Sequence, residues 1–158
     1  MKYAVRRAYL EDIPDLLRLL TQVDLVHHRG RPDLFRGPAT KYSAYDLAYI
    51  LADEERPVFV CTEEGGGVLG YAFCILWQEK DSRVLTDIRT LYVDDLCVEE
   101  SRRGQGIGRA LYDHVLSFAR AAECYNVTLN VWAFNESALR FYESCGMKPQ
   151  KIGMETIL

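Results

Sequence analysis

The spacing of apolar and polar residues along the 158-residue chain alternates between helix-like and strand-like periods. Apolar positions recur every three or four residues after Asp12, after Ser43, after Gly106 and after Asn135, which predicts four helices. Stretches rich in β-branched and aromatic residues predict six strands, at 2–7, 57–62, 68–78, 86–98, 127–132 and 151–158. The order β-α-α-β-β-β-α-β-α-β predicts a mixed α/β fold.

Signals at the element ends support this order. Asp12 is placed to cap the first helix, and Ser43 with Asp46 has the spacing of a capping box. The first helix is expected to fade within 27–38, because that stretch is rich in glycine and proline. The glycines in 63–67 predict a hairpin turn between two strands.

Composition indicates a globular chain with a single domain, residues 1–158. Apolar residues make up 49% and charged residues 27% of the chain, and this length suffices for one sizeable core. The net charge of −4 offers no basic surface for nucleic acid, and no apolar run could span a membrane. No secretory leader pattern opens the chain, and the five cysteines lack metal-type spacing. We therefore expect no metal, no nucleic acid, no membrane contact and a cytoplasmic location.

A glycine-rich stretch, Arg-Gly-Gln-Gly-Ile-Gly at 103–108, lies between the fourth predicted strand and the third helix. Glycines let a ligand approach the backbone closely, and a helix N-terminus attracts negative charge, so this loop is typical of phosphate binding. Taken alone it is equally a glycine turn, since two glycines at set positions are common by chance. No P-loop lysine and no acid at dinucleotide spacing follow it. The loop is suited to hold a phosphorylated cofactor. Two adjacent acids, Asp94 and Asp95, precede it and suggest a reaction beside that cofactor.

A second motif agrees with the loop. Residues 135–146 read N-x-S-A-x-x-F-Y-x-x-x-G and follow a further predicted strand. The succession of strand, R-x-x-G-x-G loop, helix, strand and this motif resembles the GNAT superfamily of acetyl-CoA-dependent N-acetyltransferases. The resemblance runs from about Tyr3 to the C-terminus and is most specific over 91–149. It implies a single GNAT-type α/β (α+β) domain, a mixed and mostly antiparallel sheet, about four helices, and direct acetyl transfer to a primary amine.

The resemblance also implies where acetyl-CoA, the co-substrate, binds. In the family, the pantetheine arm lies along the strand before the glycine loop, and the pyrophosphate lies on the loop. Asn135 matches a family asparagine that contacts the cofactor, and a role as helix N-cap is equally expected and compatible. The implied cofactor-binding residues are Leu96, Cys97, Val98, Arg103, Gly104, Gln105, Gly106, Ile107, Gly108 and Asn135.

Acetyl transfer to an amine requires a base and an acid. An alkylamine has a pKa of roughly 10 and must lose a proton before it attacks. By resemblance to the polyamine acetyltransferases, Asp94 is the preferred base, with Asp95 as the alternative and water alone also open. Because neighbouring strand residues point to opposite faces, we expect only one of the two acids to face the substrate. Tyr142 matches the family tyrosine that protonates the departing thiolate.

The acceptor is not specified by these patterns. The acceptor is expected to be a small-molecule or peptide amine. A homodimer is also compatible with the sequence. Four basic residues in the segment that roofs the acceptor site suit a zwitterionic acceptor, or form a solvated loop: Arg29, Arg31, Arg36 and Lys41. The alternative function is a non-catalytic acyl-CoA-binding sensor or regulatory module, against which the acid pair and the tyrosine argue.

Overall fold

The computed structural model describes residues 2–158, which form a five-stranded sheet flanked by helices. The strands are β1 (Tyr3–Arg7), β2 (Val58–Glu63), β3 (Val68–Gln78), β4 (Arg89–Val98) and β5 (Asn126–Leu129), in that spatial order. β1 to β4 pair antiparallel, whereas β5 runs parallel to β4. The helices are α1 (Ile13–Gly30), α2 (Ala44–Ala52), α3 (Ile107–Ala121) and α4 (Glu136–Ser144), with short 3-10 turns at Leu10–Asp12 and Glu100–Arg102. The predicted α/β class with a mixed, mostly antiparallel sheet is confirmed.

Two apolar clusters cover the two faces of the sheet. Alternation along each strand sends successive side chains to opposite faces, and each amphipathic helix covers one of them. The first cluster joins α1 and α2 to β2 and β3, and its members include Leu16, Leu19, Leu20, Leu47, Val60, Tyr71 and Phe73. The second cluster joins α3 to the other face, and its members include Phe59, Cys61, Ala72, Leu91, Leu111 and Val115.

The capping box of α2 forms as its spacing predicts. The Ser43 hydroxyl accepts from the Asp46 N–H at 3.1 Å, and the Asp46 carboxylate accepts from the Ser43 N–H at 2.9 Å. Asp12 has a different role from the predicted cap. Its carboxylate makes no cap bond to α1 and instead binds the Arg6 guanidinium at 2.7 and 3.0 Å.

α1 ends at Gly30, inside the 27–38 stretch where the sequence predicts that it fades. Two other predictions are wrong. β5 ends at Leu129 rather than at 132, because the chain turns away from β4 there. The predicted closing strand is absent: residues 151–158 are exposed and have no regular secondary structure, and their backbone makes no backbone hydrogen bond within residues 2–158.

Candidate active site

β4 and β5 separate halfway along β4. The two strands pair only where Thr90–Val93 meets Asn126–Leu129, whereas β4 continues along β3 to Val98. On the side facing away from β3, residues 94–98 have no strand partner in residues 2–158, and we call this gap the β4–β5 opening. Leu96, Cys97 and Val98 lie along it, so an extended ligand can pair with their backbone as an added strand would.

The helices beside the β4–β5 opening cover it only loosely. In α1 no side chain beyond Leu20 is fully buried, and α4 has no fully buried side chain at all. A helix that packs onto a closed sheet normally buries an apolar stripe along its whole length. The half-buried side chains of both helices are therefore only partly covered by the rest of residues 2–158.

The 103–108 loop ends in an exposed helix N-terminus. Gly104 and Gly106 have φ of +76° and +84°, a left-handed conformation that favours glycine, and Gly106 directly precedes α3. Within residues 2–158, no N–H group from Gly104 to Arg109 donates to a protein acceptor. Free N–H groups at the positive end of a 15-residue helix suit a phosphate.

Packing holds the loop between the sheet and α4. A Cβ at Gly108 would lie 3.2 Å from the Phe141 ring and 3.6 Å from Val98, so this glycine lets α3 approach both. The Gln105 side chain accepts from the Tyr3 hydroxyl at 2.7 Å. The Arg102 guanidinium binds the Glu63 carboxylate at 2.8 Å. The Arg103 side chain is exposed, whereas the Arg102 side chain is partly buried.

Asn135 caps α4. Its side-chain oxygen accepts from the Ala138 N–H at 3.3 Å and from the Ser137 hydroxyl at 3.4 Å. The N-cap role expected from the sequence is thereby confirmed. The contact of Asn135 with the cofactor stays a prediction.

Asp94 and Asp95 lie at a β-bulge in β4. Asp95 pairs with Phe73 and Val93 pairs with Cys74, which leaves Asp94 as an extra residue. The bulge shifts the alternation: Val93 belongs to the α3 cluster, whereas Cys97 belongs to the α1 cluster. Both carboxylates consequently point to the α1 and α2 side. The expectation that only one acid faces that side is wrong, because it assumed a regular strand.

Asp94 is already paired with two donors. Its oxygens accept from Lys41 Nζ at 2.9 Å and from the Tyr42 hydroxyl at 2.7 Å. The Arg56 guanidinium donates to the Tyr42 hydroxyl at 3.2 Å. Burial and the Asp94 carboxylate raise the pKa of Tyr42, so its phenol stays a donor. The negative charge of Asp94 is therefore largely matched by protein groups.

Asp95 is partly buried and accepts from a neutral donor, the Tyr71 hydroxyl, at 2.7 Å. Burial raises the pKa of Asp95 from 3.8 to about 6, since the ionised form loses its hydration there. Tyr71 lies in the buried core, and burial together with the Asp95 charge raises its own pKa well above 10. A carboxylate with a pKa near 6 is ionised at neutral pH and still accepts a proton readily.

Tyr142 lies on α4 beside the same opening. Burial, followed by the charge of Asp95, raises the pKa of its phenol, so the hydroxyl keeps its proton at neutral pH. Within residues 2–158 the hydroxyl has no hydrogen-bond partner, and it is not sealed from solvent either. A protonated phenol without a partner is available to a leaving group.

Cys97 is a poor nucleophile in this setting. Its side chain is buried, and its thiol donates to the Leu19 carbonyl oxygen at 3.8 Å. Burial raises the pKa of this thiol to about 12, which leaves almost no thiolate at neutral pH. A route through an acylated Cys97 is thus disfavoured.

Of the four basic residues expected over the acceptor site, only some lie near the acid pair. Lys41 reaches the acid pair, but Arg31 binds Asp33 and Glu155 instead. Arg29 and Arg36 are exposed.

Aromatic rings form a wall that the sequence patterns did not indicate. The Phe35 ring lies 4.9 Å from the His27 ring and 5.1 Å from the Trp132 ring, and Trp132 stacks on Phe134 at 6.1 Å. Burial lowers the pKa of His27, which keeps the imidazole neutral. The rings come from the end of α1, from the segment after it and from the segment after β5. No local spacing links these segments.

Tyr71 and Tyr42 were also not singled out from the sequence. Tyr71 occupies an ordinary position in an apolar strand, and Tyr42 lies in a loop. Only the register between β3 and β4, together with the bulge, brings Tyr71 to Asp95. A strand acid with a tyrosine on the neighbouring strand is the one signal that could have suggested this pair.

The fold corresponds to that of the GNAT superfamily, which the sequence resembles. The sequence model described as "Acetyltransferase (GNAT) family" matches residues 24–147, and the chain belongs to this family.

The chain spans 62% of the length of one curated relative and 93% of the length of another. The chain is 26% identical to an uncharacterized N-acetyltransferase, MJ1207, of Methanocaldococcus jannaschii, over 95% of this chain and 62% of that protein. It is 31% identical to a glucosamine 6-phosphate N-acetyltransferase of Trypanosoma brucei brucei, over 88% of this chain and 93% of that protein. A crystal structure of a tetramutant of the BH1408 protein from Bacillus halodurans is 34% identical, with a TM-score of 0.94 over 98% of this chain and 99% of that one.

Residues 2–158 contain neither a candidate membrane span nor a candidate metal cluster. None of the helices there combines the length and apolar character needed to cross a bilayer. No three histidine, cysteine, aspartate or glutamate side chains in that range are grouped so that they could hold a metal ion. The cytoplasmic location and the absence of nucleic acid and metal stay predictions.

Proposed function

We propose that the protein transfers the acetyl group of acetyl-CoA directly to a primary amine, with Asp95 as the base and Tyr142 as the acid. The observation that carries this proposal is the β4–β5 opening. It combines an unpaired strand edge, a helix N-terminus with free N–H groups, an enclosed carboxylate and a protonated phenol. A module that only binds acyl-CoA needs the first two features and not the others.

The residues present fit acetyl-CoA. The backbone of Leu96, Cys97 and Val98 offers hydrogen bonds to an extended amide chain along the free edge of β4. The N–H groups from Gly104 to Arg109 offer donors to a pyrophosphate, with Arg103 exposed beside them. When bound, acetyl-CoA supplies the thioester whose acetyl group is transferred.

Asp95 suits the base better than Asp94 does. The Asp94 carboxylate already binds the Lys41 ammonium and the Tyr42 phenol, and both bonds would have to weaken on protonation. Asp95 accepts from the neutral Tyr71 phenol, and its raised pKa of about 6 brings it nearer to that of an amine. In this proposal Asp95 accepts the proton of the acceptor ammonium, directly or through one water. Asp94 then holds the loop at Lys41 and Tyr42 against β4.

Tyr142 holds the proton that the departing thiolate requires. Its phenolic O–H is retained at neutral pH because burial and the nearby Asp95 charge disfavour ionisation. Base and acid therefore support each other: the ionised carboxylate needed for one step keeps the phenol protonated for the other. A covalent intermediate on Cys97 is not needed.

The acceptor in this proposal is a small molecule with a primary amine. Two relatives, from Trypanosoma brucei brucei and from Oryza sativa, are named glucosamine 6-phosphate N-acetyltransferases. In this chain Lys41 binds Asp94, and its charge also helps to lower the pKa of His27, which belongs to the aromatic wall of His27, Phe35 and Trp132. A wall of rings beside an ammonium-binding acid suits a compact amine better than a long, polar peptide.

A panel of amines with acetyl-CoA tests the function. It should contain glucosamine 6-phosphate, a polyamine, an amino acid, an aminoglycoside and a peptide with a free N-terminus. The acetylated amine should be followed by mass spectrometry, because the protein's own cysteines would react with thiol reagents. Acetylation of at least one small amine is expected. Calorimetric binding of acetyl-CoA without acetylation of any amine would favour the regulatory module instead.

A further inference from the structure

Lys41 is the lysine that lies at the acid pair of β4. Lysine side chains are the primary amines of residues 2–158, and the other four lie exposed elsewhere on the surface: Lys2, Lys80, Lys148 and Lys151. Within that range Lys41 is the only lysine that forms an ion pair, with its Nζ 2.9 Å from the Asp94 carboxylate. The protein therefore places one of its own primary amines where an acetyl acceptor is expected.

The Lys41 ammonium also acts on the groups around Asp94. Burial raises the pKa of Asp95, and the Tyr71 hydrogen bond and the Lys41 charge oppose that rise. The Lys41 Nζ lies 5.5 Å from the centre of the Tyr42 ring. Because an acceptor amine has to reach Asp95, the proposed base, the Lys41 amine occupies the surroundings that an acceptor amine needs.

The Lys41 side chain is held at the acids without being enclosed. It is 49% exposed, and its four-carbon stem is flexible. Burial lowers the pKa of the ammonium, but the hydrogen bond to Asp94 and the neighbouring negative charges outweigh burial and raise it. In the resting protein the amine is consequently protonated, and a base has to take a proton before Nζ can attack.

We propose that Lys41 is an acetylation site of the protein itself, modified from acetyl-CoA in its own active site when no acceptor is bound. This inference rests on the proposed function, because it uses the same base and the same acid. Asp95 takes one proton from the Lys41 ammonium, and Nζ then attacks the thioester carbonyl carbon. The N–C bond forms and the C–S bond breaks, while Tyr142 gives its proton to the sulfur and regains one from the nitrogen. The products are acetyl-lysine, the CoA thiol and one proton, which Asp95 releases to solvent.

Acetylation changes the charge of the site. Acetylated Lys41 is neutral, so the ion pair with Asp94 is lost, whereas the Tyr42 hydroxyl still donates to that carboxylate at 2.7 Å. Burial lowers the pKa of His27, and the Lys41 charge adds to that lowering. The pKa of His27 therefore reports the modification with neither cofactor nor acceptor present.

Incubation of the full chain with acetyl-CoA alone tests the proposal. Peptide mass spectrometry should show that Lys41 is acetylated at least about 100-fold faster than the four exposed lysines, since the site supplies orientation and a base. The rate per molecule should not depend on protein concentration, because the transfer stays within one chain. An amine that the protein acetylates should slow the modification by competing for the same place.

Three variants identify the modified group and its catalysis. Lys41→Arg keeps the positive charge and should abolish the fast modification. Lys80→Arg is the matched control, since Lys80 lies exposed in a loop far from the acids in sequence, and it should change nothing. Tyr142→Phe should slow acetylation of Lys41 and leave the slow acetylation of the other lysines unchanged.

Acetylated protein that has been freed of CoA gives a readout independent of turnover. An NMR titration should show a higher pKa for the His27 imidazole in acetylated than in unmodified protein. His114 is the internal control, because burial lowers its pKa without a contribution from Lys41. An unchanged pKa of His27 would show that the Lys41 amine does not lie at this place, and would overturn the proposal.

The failure of this inference and the failure of the proposed function give different results. Acetylation of an amine of the panel by a protein whose Lys41 stays unmodified in acetyl-CoA alone would overturn the inference and leave the function intact. Acetylation of Lys41 at the rate of the exposed lysines, or at an unchanged rate in Tyr142→Phe, would indicate an uncatalysed reaction and would also overturn it. If neither Lys41 nor any amine is acetylated, the proposed function fails and the inference fails with it.

Discussion

Replacing Asp95 with asparagine should lower activity and raise stability at the same time. Asparagine keeps the size of the side chain and an acceptor oxygen for the Tyr71 hydroxyl, which now lies 2.7 Å from the carboxylate. The change removes the charge and replaces one carboxylate oxygen with an NH2 group. The variant therefore separates the effect of the Asp95 charge on catalysis from its effect on the stability of the fold.

The size of the stability gain follows from the pKa. The fold raises the pKa of Asp95 from 3.8 to about 6. Each unit by which a pKa shifts corresponds to a free energy of about 1.4 kcal/mol. Above pH 6 the ionised carboxylate therefore lowers the free energy of unfolding by about 3 kcal/mol. The sign follows from proton binding: between the two pKa values the folded state holds the proton more tightly, so stability falls as pH rises. Asp95→Asn should match the wild type near pH 4 and exceed it by a few kcal/mol at neutral pH.

Urea unfolding at several pH values measures the gain in stability of Asp95→Asn, and initial rates of acetyl transfer measure its loss of activity. Without the base the rate at neutral pH should fall by about 100- to 10,000-fold and recover partly at high pH, where free amine is plentiful. In the wild type the rate should rise with pH through about 6 as Asp95 ionises.

Asp94→Asn serves as the matched control for this experiment. It removes the ion pair with Lys41 at 2.9 Å and should not stabilise the protein at neutral pH. The reasoning fails if Asp95→Asn gains no stability between pH 4 and neutral pH. If the Asp95 variant keeps the wild-type pH–rate profile and Asp94→Asn loses it, the base is Asp94, as the family resemblance implied.

Three further results are expected. Tyr142→Phe should lower turnover by about 100- to 10,000-fold with little change in acetyl-CoA affinity, and wild-type turnover would indicate a packing role. Gly106→Val, at a φ of +84°, should weaken acetyl-CoA binding in calorimetry and cost about 1–2 kcal/mol of stability, whereas Gly66→Val in the β2–β3 turn should leave binding unchanged. Ser43→Ala should lower the free energy of unfolding in urea by about 1 kcal/mol through loss of the α2 cap, and no loss would contradict the capping role.

The long periodic elements could be predicted from the sequence because their signals are local. The apolar stripe of α3, the capping box at Ser43 and the glycine before α3 each depend on residues a few positions apart. The two linked motifs added the cofactor loop and Tyr142. The structure places these at one opening, and their roles there stay predictions.

Features set by distant contacts could not be predicted in this way. The bulge at Asp94 depends on how β4 pairs with β3, and a sequence pattern with period two has no means of showing it. The early end of β5 depends on the divergence of the chain from β4. Residues 151–158 contain β-branched and apolar residues typical of a strand, but a strand forms only where a neighbouring edge is within reach.

The close contact at Gly108 couples two positions that lie far apart in the sequence. A methyl group at 108 would press on the Phe141 ring at 3.2 Å and would thereby shift the helix turn that presents Tyr142. A larger residue at 108 should consequently be tolerated only together with a smaller one at 141. In laboratory evolution, Gly108→Ala should be recovered with Phe141→Leu rather than alone, and acceptor range could be altered through this pair without touching a group that reacts.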